Sequence, residues 1–118
     1  MKYSWLDEYC TTKQGVVRDF KKEWNATRYL VGGKMFALQA TDNTHRPVVT
    51  LKLNPAEGAF LRAQYEDIVP GYYMNKEHWN SVCLDGSVPD DVLRNMIDKS
   101  YDILFASLTK KAQKEIAH

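Results

Sequence analysis

The sequence predicts a single α+β domain over residues 1–118, with helices on one face of an antiparallel sheet of about five strands. Three observations favour this fold. The predicted elements follow the order α-β-β-β-α-β-β-α, and this arrangement disfavours a parallel sheet because few strands alternate with helices. Residues 48–53 alternate between an apolar and a mixed face, as in a sheet covered on one side. A chain of 118 residues can also bury a core of its own.

The N-terminal part predicts a short helix and a first strand. Residues 4–13 carry apolar side chains on one side, which is typical of a helix packed on a sheet. Gly15 ends this helix, because glycine is common just beyond a helix C-terminus. Residues 16–24 then predict a strand.

A long strand and its hairpin partner follow. Residues 28–40 predict one strand, in which Gly32 and Gly33 mark a bulge or a bend. Pro47 begins the next strand, residues 48–53, after a polar turn. We expect these two strands to pair as the clearest hairpin of the sheet.

The middle of the chain predicts a helix and two more strands. Asn54 can cap the helix and Pro55 suits its first turn, so that the helix runs to about residue 65. Residues 67–74 and 77–84 then predict two strands joined by a short turn.

The C-terminal region predicts the strongest amphipathic helix. Ser87 and Pro89 open it, and acidic residues in its first turn suit the helix dipole. Its apolar residues recur at spacings of three and four, and include Val92, Leu93, Met96, Ile97, Tyr101, Leu104, Phe105 and Leu108. The polar residues 110–114 are predicted to continue the same helix.

Composition narrows the classes of function. The net charge is +1, from 16 basic and 15 acidic residues, whereas dedicated nucleic-acid binders are usually strongly basic. There is no apolar run of membrane-spanning length and no apolar signal segment at the N-terminus, so we expect a cytoplasmic protein without a membrane role. Cys10 and Cys83 show no metal or redox spacing and are predicted to be buried thiols.

The sequence shows no recognisable catalytic motif. No carboxylates, histidines or cysteines stand at a spacing that fixes an acid–base pair or a metal site. Gly32-Gly33-Lys34 lacks the longer glycine loop and the hydroxyl residue of a phosphate loop. We therefore predict no enzyme activity, no catalytic residue, no metal and no cofactor, although a site assembled from distant residues stays open.

Basic and aromatic residues supply the candidate binding site. Lys34 and Lys52 lie on strands predicted to be neighbours, where their ammonium groups could contact phosphate, or could be solvated lysines that protect the sheet edge. His78 and Trp79 alternate along a strand, so we expect Trp79 on the face away from the helices, beside Lys52. There it could stack on a base, or fill a concave surface. His78 could contact phosphate or bond the backbone.

One hypothesis joins these residues into a single surface. Its members are predicted to be Lys34, Lys52, Lys76, His78 and Trp79, which lie on neighbouring strands and at the corner before Trp79. This surface is predicted whatever the ligand is.

Several separated motifs resemble the MmcQ/YjbR family of small bacterial domains. They are Gly33-Lys34-Met35-Phe36, Leu51-Lys52-Leu53-Asn54-Pro55, Leu61-Arg62, residues 70–76, residues 78–82 and Ser100-Tyr101. The resemblance implies a CyaY-like fold and a "double wing" arrangement described as DNA-binding. It adds Arg62 to the candidate residues and implies weak, largely non-specific contact with DNA. The sequence does not fix the oligomeric state, and a monomer is the favoured expectation. The alternative is an anion, small-molecule or protein-interaction module without a nucleic-acid role.

Overall fold

Residues 2–71 and 74–117 are described by a computed structural model, and within them helices pack on one face of an open, six-stranded antiparallel sheet. The helices are α1 (Leu6–Thr11), α2 (Pro55–Gln64), α3 (Asp90–Ala106) and α4 (Lys110–Ile116). The strands are β1 (Val16–Lys21), β2 (Ala26–Val31), β3 (Lys34–Thr41), β4 (Pro47–Lys52), β5 (Ile68–Pro70) and β6 (Trp79–Cys83). Their order in the sheet is β1-β2-β3-β4-β6-β5. The predicted α+β class is confirmed.

The segment predicted as one long strand, residues 28–40, is two strands. Gly32 and Gly33 have φ angles of 57° and 79°, and two successive residues in this left-handed region reverse the chain in a tight hairpin turn. Val31 of β2 therefore pairs with Lys34 of β3. The prediction of a bulge or bend at the glycines was wrong, and the sheet has six strands for this reason.

Two other predicted strands are shorter than expected. The strand predicted for residues 16–24 ends at Lys21, and a 3-10 turn (Lys22–Trp24) leads to Asn25, whose φ of 49° turns the chain back into β2. The strand predicted for residues 67–74 is limited to β5. Pro70 is the last residue of β5, and this edge strand accommodates it because the next bond to β6 comes from the backbone N–H of Gly71, which donates to the carbonyl oxygen of Trp79 at 2.7 Å. Residues 72 and 73 lie outside the described part of the chain.

The core lies between the sheet and helices α1 and α3. Leu93 and Ile97 of α3 are fully buried, and they share one apolar cluster with Val49 and Leu51 of β4. The prediction that the apolar side of α3 faces the core is thus confirmed. Both Cys10 and Cys83 are buried free thiols, and burial raises the pKa of Cys10 to about 12.

The C-terminal tail forms a separate helix and does not extend α3. Ser107 turns its hydroxyl back onto the carbonyl oxygen of Leu104 at 2.6 Å, which terminates α3. Thr109 then caps α4 by accepting a hydrogen bond from the backbone N–H of Ala112 at 3.1 Å. The prediction of one continuous helix was wrong because it overlooked this new N-terminal cap.

Ser100 of α3 joins β3 and β4 at Phe36 and Lys52, one position beyond the last residue pair of these two strands, Ala37 and Leu51. Its hydroxyl donates to the carbonyl oxygen of Phe36 at 2.6 Å and accepts from the backbone N–H of Lys52 at 2.9 Å. Phe36 is the extra residue of a β-bulge, because Met35 and Ala37 pair with consecutive residues of β2. The serine hydroxyl thus satisfies backbone groups that the irregular ladder leaves without partners.

Membrane insertion finds no support in the helices that the structure describes. None of them combines the length and the apolar character that a transmembrane helix requires.

Candidate functional site

The face of the sheet opposite the helices, called the outer face here, carries the candidate site. Strand register places Arg28, Leu38, Thr50 and Ser81 in one row across β2, β3, β4 and β6, with their side chains on this face. In the middle of the row, the hydroxyl oxygens of Thr50 and Ser81 lie 2.8 Å apart and are buried. The centre of the outer face is therefore a recessed surface rather than a solvated one.

This recess is an apolar groove of about 480 Å³. Trp24 and Met74 contribute to its walls, and the carboxylates of Glu23 and Asp42 also line it. Its remaining lining comes from the strands β2, β3 and β4: Ala26, Leu38, Ala40, Thr41, Val48 and Thr50. A groove of this size and character can accept a flat apolar group such as an aromatic ring.

Trp24 stands at one side of the groove with two cations beside it. Its side chain is 54% exposed, which is unusual for tryptophan. The Nζ atom of Lys21 lies 5.8 Å from the ring centroid and the guanidinium carbon of Arg28 lies 6.0 Å from it. Both distances fall within the range of a cation–π contact. The arrangement offers a stacking surface with positive charge at its edge.

Acidic neighbours reduce that positive charge. Arg28 donates two hydrogen bonds to the carboxylate of Asp19, at 2.8 Å and 2.5 Å, and they hold the pKa of Asp19 below its ordinary value. Lys21 lies 3.8 Å from the carboxylate of Glu23. Any phosphate contact here competes with these pairs, so a weak interaction is expected.

A second tryptophan–cation pair lies further across the same face. Trp79 of β6 pairs with Lys52 of β4, and the Lys52 Nζ atom lies 6.0 Å from the Trp79 ring centroid. The prediction that these two residues are neighbours on the face away from the helices is confirmed. Arg28 and Lys52 stand on strands separated by β3, and register sets Arg28 in line with Thr50, two residues from Lys52, so the two cations are roughly 12 Å apart at about 4.8 Å per strand and about 3.4 Å per residue. Trp24 precedes β2 and Trp79 lies on β6 at the other end of the strands, so the two tryptophans are further apart, at roughly 20 Å.

Lys34 does not belong to this face. Its amine lies 3.1 Å from the hydroxyl of Ser107, at the end of α3, and therefore on the helix side of the sheet. Along β3, the Lys34 side chain points to the same face of the sheet as Phe36, which is buried in the core. The Gly32-Gly33 turn precedes β3 and does not change the direction of the Lys34 side chain. The hypothesis of one surface containing both Lys34 and Lys52 is wrong.

The other predicted residues divide between the helix side and a turn. Arg62 donates to the side-chain oxygen of the buried Asn80, on the helix side, where Gly58 leaves room for both side chains. Lys76 and His78 lie in the turn before β6, with Lys76 exposed and His78 half-buried. Among the six predicted residues, the outer face brings together Lys52 and Trp79.

Lys21, Trp24, Arg28 and Met74 were missed by the sequence analysis. Trp24 was interpreted as the end of a strand, although Asn25 after it is a residue type that often adopts the left-handed conformation of turns. That signal would have placed an exposed tryptophan at a hairpin end. The described residues contain no group of three or more histidine, cysteine, aspartate or glutamate side chains that could hold a metal ion.

Comparisons with other proteins agree on one family. The family model described as YjbR matches residues 11–103. The Escherichia coli K12 protein YjbR is 38% identical over 101 residues, which cover 86% of this chain and 85% of that protein. YbdF of Escherichia coli O157:H7 is 33% identical over 88 residues, covering 75% of this chain and 71% of YbdF.

Solved structures share the fold. The crystal structure of Deinococcus radiodurans protein DR2400, with a DUF419 domain, superposes with a TM-score of 0.85 at 30% identity, covering 95% of this chain and 85% of DR2400. A crystal structure of a Pseudomonas syringae protein has a TM-score of 0.75 at 23% identity and covers 88% of this chain and 99% of its own, which supports the fold alone.

Proposed function

The chain belongs to the YjbR family, and from the geometry of its outer face we propose that it binds single-stranded DNA, weakly and with little sequence preference. The observation that carries this proposal is the pairing of tryptophans with cations. Trp24 and Trp79 each have a lysine or arginine within about 6 Å of the ring on one face of the sheet. Tryptophan can stack on an unstacked base while the neighbouring cation contacts its phosphate.

The spacing of the pairs favours a strand over a mononucleotide. Roughly 20 Å of sheet separates the two tryptophans, at about 4.8 Å per strand and about 3.4 Å per residue. This span corresponds to about six steps of a stacked strand, at about 3.4 Å per nucleotide. A short oligonucleotide could therefore contact Trp24 and Trp79 together. Stacking favours single strands because the bases of a duplex are covered by their neighbours.

A second candidate is favoured by the groove itself. Its lining is largely apolar, and the carboxylates of Glu23 and Asp42 repel phosphate. These features suit a small aromatic molecule that is neutral or positively charged, bound without any nucleic acid. The two candidates predict different salt dependence, because phosphate contacts release counterions and apolar contacts do not.

Fluorescence anisotropy with a labelled oligothymidine of about twelve nucleotides tests the first candidate. With about three phosphate contacts, we expect the logarithm of the affinity to fall against the logarithm of salt with a slope of about −2. Trp24→Ala should weaken binding by about 1–3 kcal/mol. Phe60→Ala is the matched control, since Phe60 is an aromatic residue of α2 that is 66% exposed on the helix side.

The lysines give a second matched pair. Lys52→Gln should flatten the salt slope by about 0.7, the value for one phosphate contact on a single strand. Lys34→Gln removes the same charge from the helix side and should leave the slope unchanged. Absence of binding at low salt, or equal effects of Trp24→Ala and Phe60→Ala, would refute the proposal. Salt-independent binding of an apolar dye that Trp24→Ala abolishes would then support the second candidate.

A further inference from the structure

A polar recess of about 440 Å³ lies on the helix side of the sheet, on the surface opposite the apolar groove. Asp7 of α1 stands at one side of it, and the strands β1, β2 and β3 supply most of the rest. Register sets Arg18 opposite Tyr29 and Phe20 opposite Thr27, and Tyr29 belongs to the core, so this row faces the helices. The recess therefore forms where the sheet extends beyond α1.

Each charged group that lines the recess is paired with an opposite charge: Asp7 with Arg18, and Asp19 with Arg28. Arg18 donates to a carboxylate oxygen of Asp7 at 2.6 Å, and this hydrogen bond holds the pKa of Asp7 below its ordinary value. Both side chains are about half exposed, so the pair stands in the recess wall with one side open to solvent. A ligand meets no net charge from the pair, and this favours a neutral molecule over an anion or a cation.

The same groups keep hydrogen-bonding capacity for a ligand. The Tyr29 hydroxyl donates to the other carboxylate oxygen of Asp7 at 2.8 Å and lies 3.2 Å from the Oε1 atom of Gln39. A hydroxyl has one proton, and the shorter contact to Asp7 uses it, so Oε1 can still accept from a ligand. Arg18 uses one of its five N–H donors on Asp7. Thr27 adds a hydroxyl that can donate and accept.

An exposed aromatic ring completes the recess. Phe20 lines it, and its side chain is 59% exposed although it belongs to a strand. A phenylalanine with this exposure offers a flat apolar surface next to a set of donors and acceptors. The combination is amphipathic: one side of a ligand ring can lie on Phe20 while hydroxyl groups at the ring edge reach Gln39, Thr27 and the Asp7–Arg18 pair.

We propose that this recess binds a neutral polyhydroxylated ring through Asp7, Arg18, Thr27 and Gln39, with Phe20 against the apolar face of the ring. Vicinal hydroxyls suit the site because each can donate to the carboxylate or amide oxygen and accept from the guanidinium. A free monosaccharide and the ribose of a nucleoside share this chemistry. The site does not depend on DNA binding, because it lies on the other side of the sheet.

Titration of the isotope-labelled protein by two-dimensional NMR tests the proposal, with D-glucose, D-ribose and uridine as probes. We expect shifts of the backbone amides of Arg18, Phe20, Thr27 and Gln39 that saturate in the millimolar range. Saturation at a lower concentration of uridine than of ribose assigns the site to nucleosides, and the reverse assigns it to free sugars. Glycine and inorganic phosphate serve as charged probes.

Two variants keep the test independent of stability. Gln39→Ala should weaken binding about five- to tenfold by removing one hydrogen-bonding group. Phe20→Ala, at an exposed position, should weaken it by at least about threefold. Phe60→Ala is the control for Phe20→Ala, since it removes a similarly exposed ring from α2. The proposal is overturned if the sugars and uridine cause no saturable shifts, if glycine or phosphate binds more tightly, or if Phe20→Ala has no more effect than Phe60→Ala.

Discussion

The two faces of the sheet differ in what their polar side chains contact. On the helix side, buried polar groups are held by the fold itself: Asn80 receives Arg62, and Ser100 bonds two backbone groups. On the outer face, Lys52 and Arg28 instead stand beside tryptophan rings. The polar groups of the helix-side core are needed for packing, whereas the cations beside the two tryptophans keep part of their surface available to a ligand.

This difference shows why residue type alone is a poor guide to function in this chain. Lys34 and Lys52 both come from strands of the same hairpin, yet one bonds the end of α3 and the other stands beside Trp79. Their roles follow from the direction of the side chain relative to the helices. Three sets of substitutions test this difference between the two faces.

The largest effect is expected in the helix-side core. Leu104 of α3 is 7% exposed, and Leu104→Ala should lower the free energy of unfolding by about 2–5 kcal/mol because it leaves a cavity between helix and sheet. Urea unfolding measures the change. Phe60→Ala, at an exposed site, should change it by no more than about 0.5 kcal/mol. A loss below about 0.5 kcal/mol for Leu104→Ala would show that α3 does not carry the core.

A smaller loss of stability is expected when the two hydrogen bonds of Ser100, called the serine bridge here, are removed on the same side of the sheet. Ser100→Ala leaves the N–H of Lys52 and the carbonyl oxygen of Phe36 without their partner, which should lower the free energy of unfolding by about 1–3 kcal/mol. The control is Ser107→Ala, which removes a bond to a carbonyl of its own helix end and an exposed contact with Lys34. Equal effects of the two substitutions would mean that the bridge adds nothing beyond a local hydrogen bond.

The smallest change in stability is expected from one carboxylate on each face of the sheet, Asp7 on the helix side and Asp19 on the outer face. Hydrogen bonds from Arg18 and Arg28, respectively, lower the pKa of each. A lowered pKa means that the pair stabilises the fold above the ordinary value of about 3.9, and that this contribution is lost as pH falls through the folded-state value.

Urea unfolding at a series of pH values tests both carboxylates. Asp7→Asn should be less stable than the unchanged chain at neutral pH, and the gap should close as the pH falls from about 5 to about 2. Asp19→Asn should show a smaller gap, because Asp7 also accepts from the buried Tyr29. A gap that is independent of pH, or one that is larger for Asp19, would contradict the assignment.

The sequence predicted the parts of the fold that depend on periodicity. Residues of α3 repeat at helical spacing and β4 alternates, so both elements and their buried sides were correct. The alternation of side chains along a strand also predicted that Lys52 and Trp79 are neighbours, because β4 and β6 are regular and pair directly. Where the backbone is regular, a period of two residues determines which face a side chain occupies.

The errors fall where the backbone leaves regular geometry. Gly32-Gly33 is compatible with a bend and with a complete reversal, and which of them forms depends on the partner strand that follows. The bulge at Phe36 and the turn at Trp24 likewise arise from pairing between distant segments. Half of the candidate site was therefore missed, since Trp24 and Arg28 acquire their position only once β1 and β2 pair.

The serine bridge of α3 also bears on the time course of folding. The two bonds of Ser100 span 64 residues to Phe36 and 48 residues to Lys52. The β3–β4 hairpin can close early because its strands are adjacent in the chain, but its end beside Phe36 and Lys52 is complete only after α3 has docked. During synthesis on the ribosome, this end of the hairpin must wait until most of the chain has emerged. Amide hydrogen exchange at Lys52 would then report the docking of α3, while exchange at Thr50 would report the hairpin itself.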